Sequence, residues 1–398
     1  MRNKLISSNS FTYLLMNIFN KGIVFFMIPL FLLYLGIDSY GDYNLIFSIV
    51  RILPAILTIG ILANIEYIYL KCNQKNIQFI EKVLFTILLV SLFISLLGYI
   101  LLDKNIYFFI LLLLPFQIVL TYFSNFSFTH KKSRFMLIYT FIQNIGVLSL
   151  LFILNHSIQL EWLYYYFMIN IIIFSIYFYK EIKLKSVIPN SIGFSSNKKL
   201  LIHSISILPH VIALFILNFF DKIIIKVKLD SFALGEYIIH YQMAFLIMMV
   251  VSAFNLSKSP DFTNNANKGL SNSILFLDKM KKQYLKLAFI TLPTVFLFSY
   301  IYINYFAGIE FDFFIFLLLI FGVFFQVLYL PYSNFLYAVG ESKLLSKVTV
   351  IASIGTIILS LFLVEYYLEI GVAIAFLFSN ILLLILVKYN TIRFINES

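Results

Sequence analysis

The chain has 398 residues, of which 62% are hydrophobic, 19% are aromatic and only 12% are charged. Soluble domains carry about 25% charged residues, so this composition excludes a soluble globular protein and requires lipid as the surrounding solvent. The formal net charge of +11 is compatible with a nucleic-acid partner, so the distribution of the basic residues along the chain has to be considered. A single cysteine, Cys72, excludes an intrachain disulfide and a cysteine metal site.

Apolar stretches long enough to cross a hydrocarbon core of about 30 Å recur along the chain with short polar breaks. They predict an all-α polytopic membrane protein of about twelve transmembrane helices, without a soluble domain. We place the helices at residues 11–35, 43–69, 81–102, 106–128, 135–154, 160–179, 202–225, 233–257, 285–305, 312–337, 347–364 and 370–389.

Basic residues alternate from loop to loop. Most of the 29 lysines and arginines fall in the N-terminal segment and in every second loop, whereas the intervening loops carry only Lys104, Lys226 and Lys228 beside many acidic residues. Because cytoplasmic segments are enriched in lysine and arginine, this pattern predicts a multi-pass membrane protein with both termini in the cytoplasm. The basic excess is therefore a topology signal, and we expect no nucleic-acid partner.

Two motifs repeat at an offset close to half the chain length. The first, Phe-Gln followed by Ser-Asn-Phe at the same spacing, occurs at residues 116–126 and 325–335. In the second, the segment Asp38-Ser39-Tyr40-Gly41-Asp42-Tyr43 resembles the segment from Asp230 to Tyr237. An offset of six helices predicts a parallel repeat of two six-helix lobes around a central cavity. The predicted lobes are residues 1–182 and 201–398, joined by a cytoplasmic linker at 183–200.

Five ionisable residues lie inside predicted helices rather than at their ends: Lys21, Arg51, Glu66, Asp221 and Lys222. A central lysine or arginine costs about 2.5–3.5 kcal/mol on insertion scales, so such residues normally face a polar cavity or a partner. Lys21 lies about ten residues into the first helix, hence roughly 15 Å deep, near the membrane midplane.

The first helix has one polar face, because Asn17, Asn20 and Lys21 fall within a stripe about 100° wide. In the second helix, Arg51 shares a face with Asn44. We predict that Lys21, Arg51, Asn17 and Asn20 line a cavity and form a positively charged substrate site. An internal ion pair that only fixes helix packing is the alternative for Lys21 and Arg51.

A second set of residues is predicted to act in ion coupling or gating: Asp221, Glu66, Lys222 and His210. Asp221 and His210 share a face of the seventh helix. For Asp221 a structural pair with Arg51 or a neighbouring cation competes with a titrating role, and for Glu66 a salt bridge near the cytoplasmic end competes with coupling. The sequence has no nucleotide-binding phosphate loop, no His-Glu-x-x-His motif and no paired cysteines, so we predict no catalytic residue, metal or cofactor.

Several motifs, in this order and spacing, resemble the Wzx-type O-antigen flippases and related polysaccharide biosynthesis proteins of the multidrug/oligosaccharidyl-lipid/polysaccharide exporter superfamily. They cover nearly the whole chain and comprise Asn17 to Pro29, Leu35-Gly36, Tyr40 to Tyr43, Gly60, Asn218 to Ile225, Gly235 to Tyr237, Pro260, Tyr337 to Gly340 and Gly371 to Ala375.

The resemblance implies a transporter of the bacterial inner (cytoplasmic) membrane rather than an enzyme. Its substrate would be an undecaprenyl-diphosphate-linked oligosaccharide, such as an O-antigen repeat unit for lipopolysaccharide biosynthesis, moved from the cytoplasmic to the periplasmic leaflet by alternating access. An ion gradient and the membrane potential would drive it, and Lys21 and Arg51 would meet the diphosphate. Expected partners are this lipid-linked substrate, the bilayer and other polysaccharide assembly proteins. Family members often carry Asp-Arg where this chain has Asp221-Lys222, so a bidentate arginine contact is not available there.

Two alternatives remain. An O-antigen polymerase-type membrane glycosyltransferase typically has a large external loop with arginines, whereas the external loops predicted here are short and arginine-free. Another lipid or drug exporter of the same superfamily is the second alternative. Drug exporters favour an acidic residue in the first helix, where this chain has the basic Lys21.

Overall fold

A computed structural model describes residues 23–62, 74–101, 111, 114–115, 117–122 and 194–397. Within these ranges the secondary structure is helical, with short turns. The helices are α1 (Ile23–Leu57), α2 (Gln74–Leu101), α3 (Phe194–Lys228), α4 (Ser231–Ala244), α5 (Leu246–Ala266), α6 (Leu270–Tyr302), α7 (Phe313–Val339) and α8 (Ser342–Glu397). A π-helical turn, Ile303–Ala307, continues α6.

In the described part of the chain, five helices are long and apolar enough to cross a membrane, and there are six if α4 and α5, which meet at a 45° bend, are counted as one span. These spans contain the predicted helices at 81–102, 202–225, 233–257, 285–305 and 312–337 to within a few residues at most ends. The predicted helices at 347–364 and 370–389 correspond to the two halves of α8, which breaks at Leu368 (φ 50°, ψ −132°).

The predicted helix boundaries at residues 69 and 285 are wrong. The helix predicted at 43–69 ends at Leu57, because the chain turns through residues 58–60, where Ile59 and Gly60 have φ of 52° and 74°. By contrast, the predicted end of the first helix at residue 35 is confirmed, because two helical segments of α1 meet at a break at Gly36 (φ 75°, ψ 166°). Helix α6 begins at Leu270 rather than near 285, because its first turns are amphipathic and hydropathy alone does not detect them.

The chain forms two compact units, one of Met1–Leu45 with Pro209–Ser398 and the other of Ile46–Leu208. In the second unit, apolar side chains of the α1 end, of the turn after it and of α2 form a core with Leu114 and Ile118. In the first unit, α7 packs against α4, α5, α6 and α8. The predicted lobe boundaries at 182 and 201 stay a prediction, since most residues between 102 and 193 lie outside the described ranges.

The two segments that resemble each other in sequence meet in the first unit. A Cβ atom added to Gly41 would lie 3.0 Å from the Ser231 carbonyl oxygen and 3.1 Å from the Gly235 nitrogen. A Cβ atom on Gly235 would lie only 2.5 Å from the Ile37 carbonyl oxygen. The backbones of α1 and α4 therefore approach so closely that only glycine fits at position 235.

We predict that Gly235→Ala lowers the stability of the protein by about 1–3 kcal/mol, the usual effect of overpacking a core. The matched control is Gly355→Ala in α8, where the new Cβ would make an ordinary 3.4 Å contact with Leu382 Cδ2. Thermal unfolding of the purified chain in detergent measures both. Equal melting temperatures for the two variants would contradict the tight α1–α4 approach.

Candidate functional site

Asp221 and Lys222 of α3 form a buried ion pair. Their side chains are 1% and 3% exposed, and Lys222 Nζ lies 3.2 Å from Asp221 Oδ1. The lysine side chain folds back along its own helix, because its Nζ also donates a 2.7 Å hydrogen bond to the Asn218 carbonyl oxygen one turn earlier. The Lys222 backbone nitrogen donates to Asp221 Oδ1 at 2.8 Å. Both charges are thus satisfied within a single helix before any other helix contributes.

Two tyrosines of α4, spaced one helical turn apart, complete this pair. Tyr237 donates its hydroxyl hydrogen to Asp221 Oδ2 at 3.0 Å. The Tyr241 ring lies under the ammonium group, with Lys222 Nζ 3.3 Å from the ring centroid, and the Phe219 ring lies 5.0 Å away. An aromatic face attracts a cation, and the attraction is stronger where water is excluded. The α4 tyrosines therefore stabilise one charge each.

An amide network links the ion pair to α7. Asn218 Oδ1 accepts a 2.7 Å hydrogen bond from Gln326 Nε2 and a longer one, 3.5 Å, from the Tyr241 hydroxyl. Asn218 Nδ2 donates to the Leu214 carbonyl oxygen at 2.7 Å. Gln326 belongs to the Phe-Gln repeat seen in the sequence. Side-chain hydrogen bonds centred on Asn218 therefore join α3, α4 and α7.

A second polar contact joins α1 to α3 and α4, and we call it the α1–α4 contact. Its hydrogen bonds run from the Tyr40 hydroxyl to Gln242 Oε1 at 2.7 Å and from Gln242 Nε2 to Asn44 Oδ1 at 2.7 Å. Its ion pair joins Lys226 Nζ to Asp42 Oδ1 at 2.5 Å, and Lys226 also bonds to Ser231 Oγ. The close approach of Gly41 to Gly235 lies among these polar groups.

His210 lies elsewhere on α3. Its Nδ1 is 3.1 Å from Thr349 Oγ1 of α8, and its Nε2 is 3.5 Å from the Tyr329 hydroxyl of α7. Tyr329 in turn donates to Ser333 Oγ at 3.0 Å. Asp221 follows His210 by eleven positions, which correspond to about 16 Å along the helix. The structure therefore places these two predicted residues in separate polar clusters.

The side chains of the remaining predicted residues are outside what the structure describes. Lys21, Asn17, Asn20 and Glu66 lie outside the described residues. Arg51 lies on helix α1, but its side chain is not among those described. Among the described residues, no group of three or more His, Cys, Asp or Glu side chains is arranged to hold a metal ion.

Sequence reasoning missed the partners that surround the ion pair: Asn218, Tyr237, Tyr241 and Gln326. A signal was present, because Asn218 precedes Lys222 by one helical turn and Tyr237 and Tyr241 share a face of α4. The repeat also pointed to Gln326. None of these patterns identified which residues would contact the ion pair, because each contact depends on how α3, α4 and α7 pack.

Solved structures of MATE multidrug transporters match the chain over nearly its whole length. The MATE multidrug transporter DinF-BH gives a TM-score of 0.70 at 15% sequence identity, covering 98% of this chain and 95% of its own. A MATE transporter of the MOP superfamily in an inward-facing conformation gives 0.63 at 12% identity, covering 99% and 97%. One in an outward-facing conformation gives 0.63 at 11% identity, covering 97% and 96%. No protein-family model and no curated protein sequence matches the chain.

These likenesses confirm the predicted fold class, an all-α polytopic membrane protein with two six-helix lobes. At 10–15% identity they show the fold alone. The fold is that of the solved MATE transporters, two of which are described as members of the MOP superfamily.

We predict that Asp221→Ala lowers the stability by about 3–5 kcal/mol, because it leaves the Lys222 charge buried without its counter-ion. Glu365→Ala is the control, since it breaks the exposed Lys228–Glu365 pair, whose side chains are 43% and 58% exposed, and exposed pairs contribute little. Thermal unfolding in detergent compares the two. If Asp221→Ala melts at the temperature of the control, the carboxylate is not what holds Lys222 in place.

Proposed function

We propose that the chain is a flippase, an alternating-access transporter in the inner membrane that moves an undecaprenyl-diphosphate-linked oligosaccharide from the cytoplasmic to the periplasmic leaflet. The oligosaccharide is an O-antigen or similar repeat unit of a surface polysaccharide. The observation that carries the transport function is the likeness, over nearly the full chain, to MATE transporters solved in inward-facing and outward-facing conformations. Transport without bond cleavage follows from such a cycle.

The charges inside the helices favour an anionic substrate. The sequence places two acidic residues inside predicted helices, Glu66 and Asp221. Asp221 is already bound by Lys222 at 3.2 Å and by the Tyr237 hydroxyl at 3.0 Å. A cationic substrate would have to displace both of these partners. Lys21 and Arg51, by contrast, are basic residues in the first two predicted helices, and a diphosphate head group would compensate their charge.

The α1–α4 contact supplies a barrier that transport opens and closes. If the lobes divide as predicted, residues 37–44 and 226–242 belong to different lobes. Asp42 and Lys226 lie near the predicted external loops, whereas Gln242 lies about 16 Å further along α4 from Ser231. The hydrogen bonds and the part-exposed ion pair of this contact contribute about 0.5–1.5 kcal/mol each. A total of a few kcal/mol is large enough to hold the lobes together and small enough for a bound substrate to overcome.

The energy for flipping has two sources in this proposal. Moving a negative charge outward across an inside-negative membrane is favoured by about 2.3 kcal/mol per charge for each 100 mV. A proton or sodium gradient supplies the rest, and Asp221, Glu66, Lys222 and His210 stay predicted as coupling or gating residues. His210 and the Asp221 pair would act in separate steps, because they lie in separate clusters.

Export of cationic drugs is the second candidate function, favoured by the multidrug transporters among the structural matches. Drug export fits the fold as well as flipping does. It does not fit the charges inside the helices, because Asp221 is already paired with the cation Lys222. An O-antigen polymerase-type glycosyltransferase receives no support from this fold. A drug-susceptibility assay separates the first two, because a drug exporter protects cells from cationic dyes whereas a flippase does not.

We predict that Lys21→Ala and Arg51→Ala each abolish or strongly reduce surface polysaccharide in a complemented knockout strain. The physical reason is that the diphosphate would lose its cationic partner at the membrane interior. Lys268→Ala, in the exposed turn between α5 and α6, is the control and should restore polymer fully. Normal polymer with both Lys21→Ala and Arg51→Ala would contradict the site, and loss of polymer without accumulation of inner-leaflet repeat units would contradict flipping.

We also predict that fixing the α1–α4 contact stops transport. Because Cys72 is the single native cysteine, a Cys72→Ser background allows Asp42→Cys and Lys226→Cys to be joined by a short bis-methanethiosulfonate, which forms a reducible disulfide with each thiol and releases sulfinate. Surface polymer synthesis should stop on cross-linking and resume on reduction. Each single-cysteine variant, treated in the same way, should be unaffected. Continued synthesis in a fully cross-linked population would mean that this contact does not open during the cycle.

A further inference from the structure

Helix α6 carries a stripe of exposed lysines that takes no part in the packing of the helix against its neighbours. Lys279, Lys282 and Lys286 are all exposed and follow one another at spacings of three and four residues, so they share one face of the helix. The buried residues of the same turns, Met280 and Tyr284, lie on the opposite face. The lysine face therefore points away from the protein core.

The same face continues into an apolar surface. Leu275 lies before the lysines and is 70% exposed, whereas Phe289 and Leu297 lie after them and are 61% and 63% exposed. Their helical spacing keeps them on the same side of the helix as the stripe. Exposed phenylalanine and leucine on a membrane-spanning helix contact lipid chains. The lysines thus lie on the lipid-facing side of α6, next to its apolar part.

The length of the helix sets the depth of these lysines. The span Leu270–Ala307 has 38 residues, which corresponds to about 57 Å and exceeds the roughly 40–45 Å of a whole bilayer. Residues 287–307 contain no charged side chain and cover about 31 Å, the thickness of the hydrocarbon core. Lys286 then lies at the edge of that core, with Lys282 and Lys279 about 6 and 10 Å beyond it. This is the layer occupied by phospholipid head groups.

The positive charge of the lysine stripe is not neutralised by ion pairs within the described part of the chain. The acidic residue nearest to it along the helix, Asp278, is paired with Lys281 at 2.5 Å. Lys281 in addition lies over the Tyr332 ring of α7, so the Asp278 carboxylate, although 55% exposed, is already engaged by a lysine outside the stripe. In the described part of the chain, no carboxylate forms an ion pair with Lys279, Lys282 or Lys286. Three positive charges on a lipid-facing surface remain to be compensated from outside the protein.

We propose that this stripe is a binding site for anionic phospholipids, whose phosphates contact Lys279, Lys282 and Lys286 while their acyl chains pack on Phe289 and Leu297. In the predicted topology this is the cytoplasmic leaflet. A lysine near the surface of an anionic membrane raises binding about fivefold, so three lysines raise it about a hundredfold. The apolar continuation of the stripe favours a lipid over an acidic protein or a nucleic acid, and the site does not depend on which substrate is transported.

Native mass spectrometry of the full chain in mild detergent tests the proposal. The chain is titrated with phosphatidylglycerol and, separately, with phosphatidylcholine carrying the same acyl chains. We expect tighter binding of phosphatidylglycerol, weakened by an order of magnitude or more in the triple variant K279Q/K282Q/K286Q. The variant K279R/K282R/K286R keeps the charges and should keep the preference. Thermal unfolding checks that the variants fold, which is expected because the three side chains are exposed.

The matched control is K268Q/K343Q/K388Q, which removes the same charge from three exposed lysines on other parts of the chain. It should retain most of the preference for phosphatidylglycerol. Equal losses in the two glutamine triples would overturn the site, because general charge attraction would then explain the binding. The proposal would also be overturned if the wild-type chain bound both lipids equally, or if inorganic phosphate displaced phosphatidylglycerol at matched ionic strength.

Discussion

The burial of one ammonium group, that of Lys222, constrains how the helices around it can pack. Lipid offers no hydrogen bonds, so every polar group placed among the helices must find its partner inside the protein. Lys222 finds Asp221, the Asn218 carbonyl and the Tyr241 ring. Those partners in turn engage Tyr237 and Gln326. A slip of α4 or α7 along α3 by one residue would leave a charge or an amide unsatisfied, and this fixes the register of the three helices.

The sequence predicted a helix best where a capping residue marks each of its ends. Helix α7 was placed at 312–337 and runs from Phe313 to Val339, because the Asp312 side chain accepts from the Ile315 nitrogen and Gly340 ends the helix with φ of 94°. The turn after Leu57 was missed, since it depends on Ile59 adopting a positive φ that no composition signal favours. The early start of α6 was missed because a helix beyond the hydrocarbon core has no continuous apolar run.

For the candidate site, the sequence identified the costly groups and not their partners. Asp221 and Lys222 stood out because charges are expensive in a membrane. Tyr241 did not, since it is one of 27 tyrosines in a chain with 46 phenylalanines. The repeat was more informative than its length suggested, because its members carry polar contacts. Gln326 bonds to Asn218, Asn334 Nδ2 donates to Asn255 Oδ1 at 2.6 Å, and Gly41 meets Gly235.

The adjacency of Asp221 and Lys222 in the chain has a consequence for biosynthesis. An isolated lysine entering the bilayer during translation would have to wait for a partner on a helix not yet made. Here the carboxylate and the Asn218 carbonyl lie on the same helix as the lysine, so α3 enters the translocon as a locally neutral segment with its ammonium group already coordinated. The first partners of the ammonium group therefore do not depend on α4 and α7, which add the Tyr237, Tyr241 and Gln326 contacts.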